Sequence, residues 1–380
     1  MTRSNLFSTT LVLLLPSIAS GAILPIIGTP RFDVAITSAA LIDTDRLDPF
    51  AANGSPRSIV VSSFSPMQQC REKHDIPYMP PATASFQDTK FGAYGLPNGS
   101  FVSLNLETCR VGSIKRSTCS PADLPLVVFS GALATSRLLY SNILQNVAAA
   151  GYLVVSVDHT YDSDIVEYPN GTVVTGLALD SDADIELALS TRVGDLDFVR
   201  GQMANSTVTE VLFPGQLLGG HTPKTAYIGH SLGGAAAAAA MVQNSTVSAG
   251  INLDGTMFGD VLTAGLNQPF MLTGHENKTQ ETDPSWKAVW SHLTGWKKEL
   301  EVKGAAHYSF SDLPMIVAAL GIQEMLPVEV EQVLGNVEGH HMTDLIATYV
   351  TTFLDLVFKS GSEELLTNGS ADFPEVVVAA

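Results

Sequence analysis

Residues 226–234 read Ala226-Tyr227-Ile228-Gly229-His230-Ser231-Leu232-Gly233-Gly234 and run straight into Ala235–Ala240. A short apolar run thus ends in Gly-x-Ser-x-Gly and passes at once into a helix of small residues. This is the pattern of a nucleophile elbow, in which a strand turns sharply into a helix and holds a serine on the strained turn. The residues two before and two after the serine must be small, because strand and helix pass close together there. Amides at the helix start would face the negative charge that develops on a substrate oxygen. The bland alternative is a Gly/Ala-rich strand–helix turn. The strand before Ser231 and the helix after it favour a nucleophilic serine.

Outward from the elbow, the chain alternates strands and helices. Upstream, Leu126–Phe129 reads as a buried strand, Arg137–Ala150 as a helix, and Gly151–Val157 as a strand ending at Asp158-His159. A helix is expected from about Asp182 to Met203. Downstream, Ala249–Leu253, Pro269–Thr273 and Lys298–Val302 read as strands, with a last helix from about Thr343 to Phe358. Near the start, Phe32–Ile36 and Ser58–Ser62 read as antiparallel neighbours. Such alternation predicts an α/β fold with a mostly parallel sheet, covered by helices on both faces and carrying its site at the carboxyl ends of the strands. Residues 23–380 read as a single domain. The stretch 67–122 has an irregular pattern and holds all three cysteines, the Pro80-Pro81 pair, Gly95, Pro97 and Gly99. It is expected to be a loop-rich insertion over one end of the sheet.

The balance of charge narrows the partners. With 20 Lys+Arg against 38 Asp+Glu, the formal net charge is −18. A nucleic-acid backbone repels such a surface, and docking on anionic lipid by charge is disfavoured, although an apolar patch could still touch lipid. No segment after the first residues reads as a transmembrane helix. Residues 1–22 read as a secretory signal: Arg3, then apolar Leu6–Ile18 broken by Pro16, then small Ala19-Ser20-Gly21-Ala22. Asn53, Asn98, Asn170, Asn205, Asn244, Asn277 and Asn368 each begin Asn-x-Ser/Thr. Together they point to a secreted glycoprotein. An oxidising compartment would let Cys70 pair with Cys109 or Cys119 and leave one thiol.

A serine is a weak nucleophile until a histidine takes its proton, and a carboxylate must hold that histidine. In this fold class the order is serine, acid, histidine. His307, in the small-residue loop Lys303-Gly304-Ala305-Ala306, follows the last predicted strand and is the favoured base. His275 stands too early, His292 lies in a Trp-flanked segment and reads as packed, and His340-His341 read as a solvated helix start. Two acids compete. Asp254 ends the strand after the elbow helix and Glu276 ends the next one. The commoner arrangement favours Glu276. The expected oxyanion donors are the backbone amide of Leu232 and one from Gly131-Ala132-Leu133, after the strand Leu126–Phe129.

These residues resemble the secreted and lipoprotein-associated platelet-activating-factor acetylhydrolases, in a fungal-looking version. The resemblance runs from about Leu41 to the last helix. It rests on Asp43-Thr44-Asp45-Arg46-Leu47-Asp48-Pro49, Pro125–Ser130, Leu139-Tyr140-Ser141, Gly151-Tyr152 with Val157-Asp158-His159, the elbow, Leu253-Asp254 with Met257-Phe258, and Gly304 with His307. It implies an α/β-hydrolase fold, no cofactor and no metal. It places the acid shortly after the elbow helix and so implies Asp254 over Glu276. It also implies Leu133 as the second oxyanion donor. The implied reaction is hydrolysis of the short sn-2 acyl ester of an ether phospholipid through an acyl-enzyme. The chain departs from the family at two points. Gly131-Ala132 stand where His-Gly is usual, and Gly255-Thr256 replace alanine and a bulky aromatic, which would open the acyl pocket. The alternative reading is a broad secreted carboxylesterase acting on plant or polymer esters. A more remote one is a non-catalytic binding protein on the same fold.

Overall fold

The computed structural model describes residues 21–111, 124–216, 218 and 220–380. Its centre is a nine-stranded sheet. From one edge to the other the strands are Val376–Val378, Lys297–Val302, Phe270–His275, Ala249–Leu253, Thr225–His230, Leu126–Ser130, Leu153–Asp158, Pro56–Met67 and Asp33–Leu47. The strands from Lys297–Val302 across to Leu153–Asp158 run parallel. Antiparallel strands finish both edges: Val376–Val378 on one, and the long Asp33–Leu47/Pro56–Met67 pair on the other. The expected α/β-hydrolase fold is therefore present.

Period-two alternation explains why the central strands read as continuous apolar runs. Val127 and Phe129 join one core, Leu126 and Val128 the other, so both faces of the strand are buried. The first core lies under Ser141–Ala149, Leu313–Leu320 and the amphipathic helix Gly339–Lys359. The second holds the elbow helix Leu232–Gln243 and Asp182–Gln202, which starts on a Ser181/Asp184 capping box. Ala235 to Ala238 and Ala240 are all buried. The alanine run lets this helix pack closely on the sheet while buried nearly all round.

Within the expected insertion 67–122, the described residues 67–111 are more regular than their composition suggests. Lys73–Pro77 and Asn105–Cys109 pair antiparallel, and Ile23–Leu24 adds a third strand alongside Asn105–Cys109. Pro81–Gly92 is a helix that opens with proline in its first turn. Phe101, Leu104 and Leu106 are buried in the first core. The order comes from long-range pairing and burial, which a local turn count cannot register. Cys70 and Cys109 form a disulfide with Cα atoms 5.5 Å apart. Cys119 and most of the expected signal segment, residues 1–20, lie outside the described residues. Among the described residues no helix is long and apolar enough to cross a membrane.

Candidate active site

Ser231 sits between the strand Thr225–His230 and the helix Leu232–Gln243 with φ 57° and ψ −125°. A non-glycine residue is strained there, and the surrounding contacts hold it. Its amide donates to the Leu253 carbonyl at 2.9 Å, which ties the turn to the neighbouring strand. A Cβ on Gly233 would lie 2.0 Å from the Ser130 carbonyl oxygen and 2.7 Å from that of Gly131. The small residue therefore lets the 131–134 loop come against the elbow.

The Ser231 hydroxyl lies 3.0 Å from His307 Nε2, and His307 Nδ1 lies 2.5 Å from Asp254 Oδ2. His307 opens the short helical turn His307–Phe310 after the strand Lys297–Val302. Asp254 follows the strand Ala249–Leu253 with φ 61°. Burial works against ionisation of its fully covered side chain. Hydrogen bonds from His275 and His307 outweigh that and hold the carboxyl well below the usual carboxylate range. Glu276 does not reach the imidazole. Its Oε2 accepts the Gly304 amide at 2.9 Å and so braces the loop that presents His307.

Several residues set aside by the sequence reading join this site. His275 donates to Asp254 Oδ1 from its backbone amide at 2.9 Å and from Nδ1 at 2.6 Å. Two imidazoles thus share one carboxylate, a contact invisible in sequence because strand pairing creates it. His230 lies beneath His307, with ring centroids 4.6 Å apart. Its Nε2 donates to the His307 carbonyl at 2.9 Å, which leaves Nδ1 to accept from the Tyr140 hydroxyl at 2.9 Å. Burial, with His307 nearby, pushes the His230 imidazole down to about 3 and keeps it neutral. The imidazole at the variable position of the elbow motif was the one sequence sign of this support. His292 is exposed beyond the helix Pro284–Trp290 rather than packed. His340 and His341 start the helix Gly339–Lys359 and pair with Glu338 and Glu375.

The 131–134 loop is held at nearly every peptide group. The Ala132 amide donates to the Tyr140 hydroxyl at 2.9 Å and the Ala134 amide to the Asp162 carbonyl at 3.1 Å. The Leu133 carbonyl accepts from the Thr135 hydroxyl at 3.1 Å and the Ala134 carbonyl from Lys90 Nζ at 3.1 Å. Among the described residues neither the Leu133 nor the Leu232 amide meets an acceptor. Both residues line a cavity of about 710 Å³ that also takes in Ser231 and His307. Ile185, Leu189, Thr256, Phe258 and Lys278 form part of its wall. Gly255 does not open this cavity, contrary to expectation. It is buried, and a Cβ there would lie 2.1 Å from the Ser231 carbonyl oxygen. Its own carbonyl accepts from Asn252 Nδ2 and Trp286 Nε1. Only Thr256 of the pair faces the cavity.

Among the described residues, His230, Asp254 and His307 are the one group of three or more His, Cys, Asp or Glu side chains whose ligand-type atoms all come within 4.8 Å of one another. The hydrogen bonds above already engage all three side chains.

The sheet order and the serine on a strand–helix turn define the α/β-hydrolase class. The family of platelet-activating factor acetylhydrolase, isoform II, matches residues 57–175 and 215–358. A protein of Arthroderma benhamiae described as a probable 1-alkyl-2-acetylglycerophosphocholine esterase is 32% identical over 384 residues, 95% of each chain. The platelet-activating factor acetylhydrolase of Cavia porcellus is 24% identical over 257 residues, 60% of this chain and 56% of that one. The structure of a ferulic acid esterase from Streptomyces cinnamoneus matches with a TM-score of 0.79 at 28% identity, over 95% of this chain and 100% of that one. The chain belongs to the platelet-activating factor acetylhydrolase family and is a carboxylic ester hydrolase.

Proposed function

We propose that Ser231, His307 and Asp254 form the catalytic triad and that the enzyme cleaves a short acyl ester from an ether phospholipid. The line of hydrogen bonds from Ser231 Oγ through His307 to Asp254, on the floor of the cavity, carries this reading. His307 takes the Ser231 proton as the hydroxyl attacks the ester carbonyl, and Asp254 stabilises the imidazolium. The Leu133 and Leu232 amides receive the oxyanion. His307 then protonates the leaving alcohol, and water repeats the sequence on the acyl-enzyme. The sn-2 acetyl ester is favoured because the Arthroderma relative carries that activity in its description.

A second reading has its own support. The ferulic acid esterase neighbour, together with Gly131-Ala132 and Thr256 in place of the usual family residues, favours a carboxylesterase on plant or polymer esters. A substrate panel separates the two: acetyl-ether phospholipid, long-chain phospholipid, acetyl and butyryl esters, feruloyl esters and a polyester film. Turnover of the acetyl-ether phospholipid is expected, and turnover of the other esters alone refutes the phospholipid assignment. A fluorophosphonate should label Ser231. Asp254→Asn should lose about 10⁴ in kcat with Glu276→Gln far milder. The reverse order overturns the choice of acid.

We also propose export and N-glycosylation. The Cys70–Cys109 disulfide fits an oxidising compartment. Asn53, Asn98, Asn170, Asn205, Asn277 and Asn368 are exposed, whereas Asn244 is half-buried and its Nδ2 donates to Asp197 at 3.1 Å. Enzyme recovered from medium should shift in mass on glycosidase treatment. Finding it only inside cells, with no shift, refutes this.

A further inference from the structure

The loop that presents the Leu133 amide carries Gly131 and Ala132 before it, and neither has a side chain that can donate or accept a hydrogen bond. Arg192, on the helix Asp182–Gln202, lies behind the loop and is only 1% exposed. A guanidinium has five N–H donors, and here each has an acceptor. Nε donates to Asp162 Oδ2 at 2.6 Å and Nη2 to Asp162 Oδ1 at 2.5 Å. Nη1 donates to the Ser130 hydroxyl at 3.1 Å and to the Gly131 carbonyl at 2.5 Å. Nη2 also donates to the Ala132 carbonyl at 3.2 Å.

The last contact matters most. The Ala132 carbonyl and the Leu133 amide belong to one planar trans peptide unit, so they point in opposite directions. Drawing the carbonyl toward Arg192 turns the Leu133 N–H toward the cavity. Asp162 completes the clamp: its side chain orients the guanidinium while its carbonyl receives the Ala134 amide at 3.1 Å. Ser130 links the clamp further inward to His159 Nε2 at 2.9 Å, and His159 Nδ1 lies 2.9 Å from Asp195. A buried ion pair is a poor device for stability alone, since apolar residues often fill the same space as well or better. Its direct bonds to two loop carbonyls supply a different reason for its presence.

We propose that Arg192 is a positioning residue that aims the Leu133 amide at the oxyanion through its bonds to the Gly131 and Ala132 carbonyls. The proposal rests on the Ser231 reading above. Lysine offers a compact charge without the planar fork. Arg192→Lys should therefore lower kcat about 10- to 100-fold, within the range of a misaimed oxyanion donor, and leave KM within about threefold. Affinity for a short-chain trifluoromethyl ketone, which forms the tetrahedral oxyanion on the serine, should fall in parallel. Ser130→Ala removes one acceptor of Arg192 with little change in shape, and should show the same signature at roughly three- to tenfold.

Activity, ketone affinity and deuterium uptake of residues 130–136 would be measured for both variants, with Ser231→Ala as control. Raised uptake with matched losses of kcat and ketone affinity supports the proposal. If Arg192→Lys does not fold, Ser130→Ala decides. Wild-type kcat, ketone affinity and uptake in the deciding variant overturn the proposal, as does a change confined to melting temperature. Retained activity in Ser231→Ala instead overturns the reading of the reaction. Uptake then judges the loop contact by itself.

Discussion

At Asp254 the two carboxylate oxygens have separate tasks. Oδ2 faces His307, and Oδ1 takes two N–H groups from His275. A charge-assisted hydrogen bond is about twice as strong as a neutral one, so the His275 ring does much to fix the acid's orientation. His275→Leu should lower kcat about 3- to 10-fold while KM changes little. Asparagine can still donate to Oδ1, so His275→Asn should recover most of the loss. Equal kcat in wild type and the leucine variant would show that the contact is idle. The serine and histidine of this site were legible from motif and position alone. The carboxylate bonded to His307 was not: Glu276 and Asp254 both end strands, and only the family resemblance separated them. His275 escaped the reading because its role depends on which strand lies beside Ala249–Leu253, and residue order does not state that.

Elements with strong local signals were read nearly to their ends. The helix over 182–203 is observed as Asp182–Gln202, and the strand over 126–129 as Leu126–Ser130. Elements held by distant partners were missed, including the sheet of Ile23–Leu24, Asn105–Cys109 and Lys73–Pro77, and the edge strand Val376–Val378. The elbow shows why its own signal was strong, since Gly229 and Gly233 answer to backbone atoms rather than side chains. At Gly233 an added Cβ would meet the Ser130 carbonyl oxygen at 2.0 Å, and no rotamer change can relieve that. Gly233→Ala should therefore push the 131–134 loop away from the elbow. The expected cost is about 1–3 kcal/mol of stability from overpacking and at least about 10²-fold in kcat from misplaced oxyanion donors. Thermal melting and active-site titration with a fluorophosphonate would measure the two effects, and wild-type values for both would refute the close-approach argument.

Over the whole molecule, buried titratable groups set opposing slopes of stability against pH. His230, pushed down from 6.5 to about 3 by burial, stays neutral in the fold while the unfolded chain takes up a proton. Stability from this group is lost as pH falls from about 6.5 toward 3, amounting to about 2 kcal/mol by pH 5. His159, also lowered by burial, acts in the same direction. Asp312 works the other way. Burial raises it from 3.8 to about 7, despite donors from Asn142, Ile143 and Tyr78. The fold therefore binds its proton before the unfolded chain does, and acidification from pH 7 to 4 adds stability, on the order of 3 kcal/mol by pH 5. Between pH 7 and 5 these groups therefore oppose one another. Below about pH 4 Asp312 adds nothing more, while the depressed carboxyls of Asp195 and Asp254 begin to lose their contribution. The wild-type melting temperature should accordingly change less from pH 7 to 5 than it does below 4, where it falls. Asp312→Asn removes the opposing group, so its melting temperature should already decline from pH 6.5 downward, from a lower starting value. Parallel curves for the two proteins across that range would show that Asp312 does not take up the proton on which this balance depends.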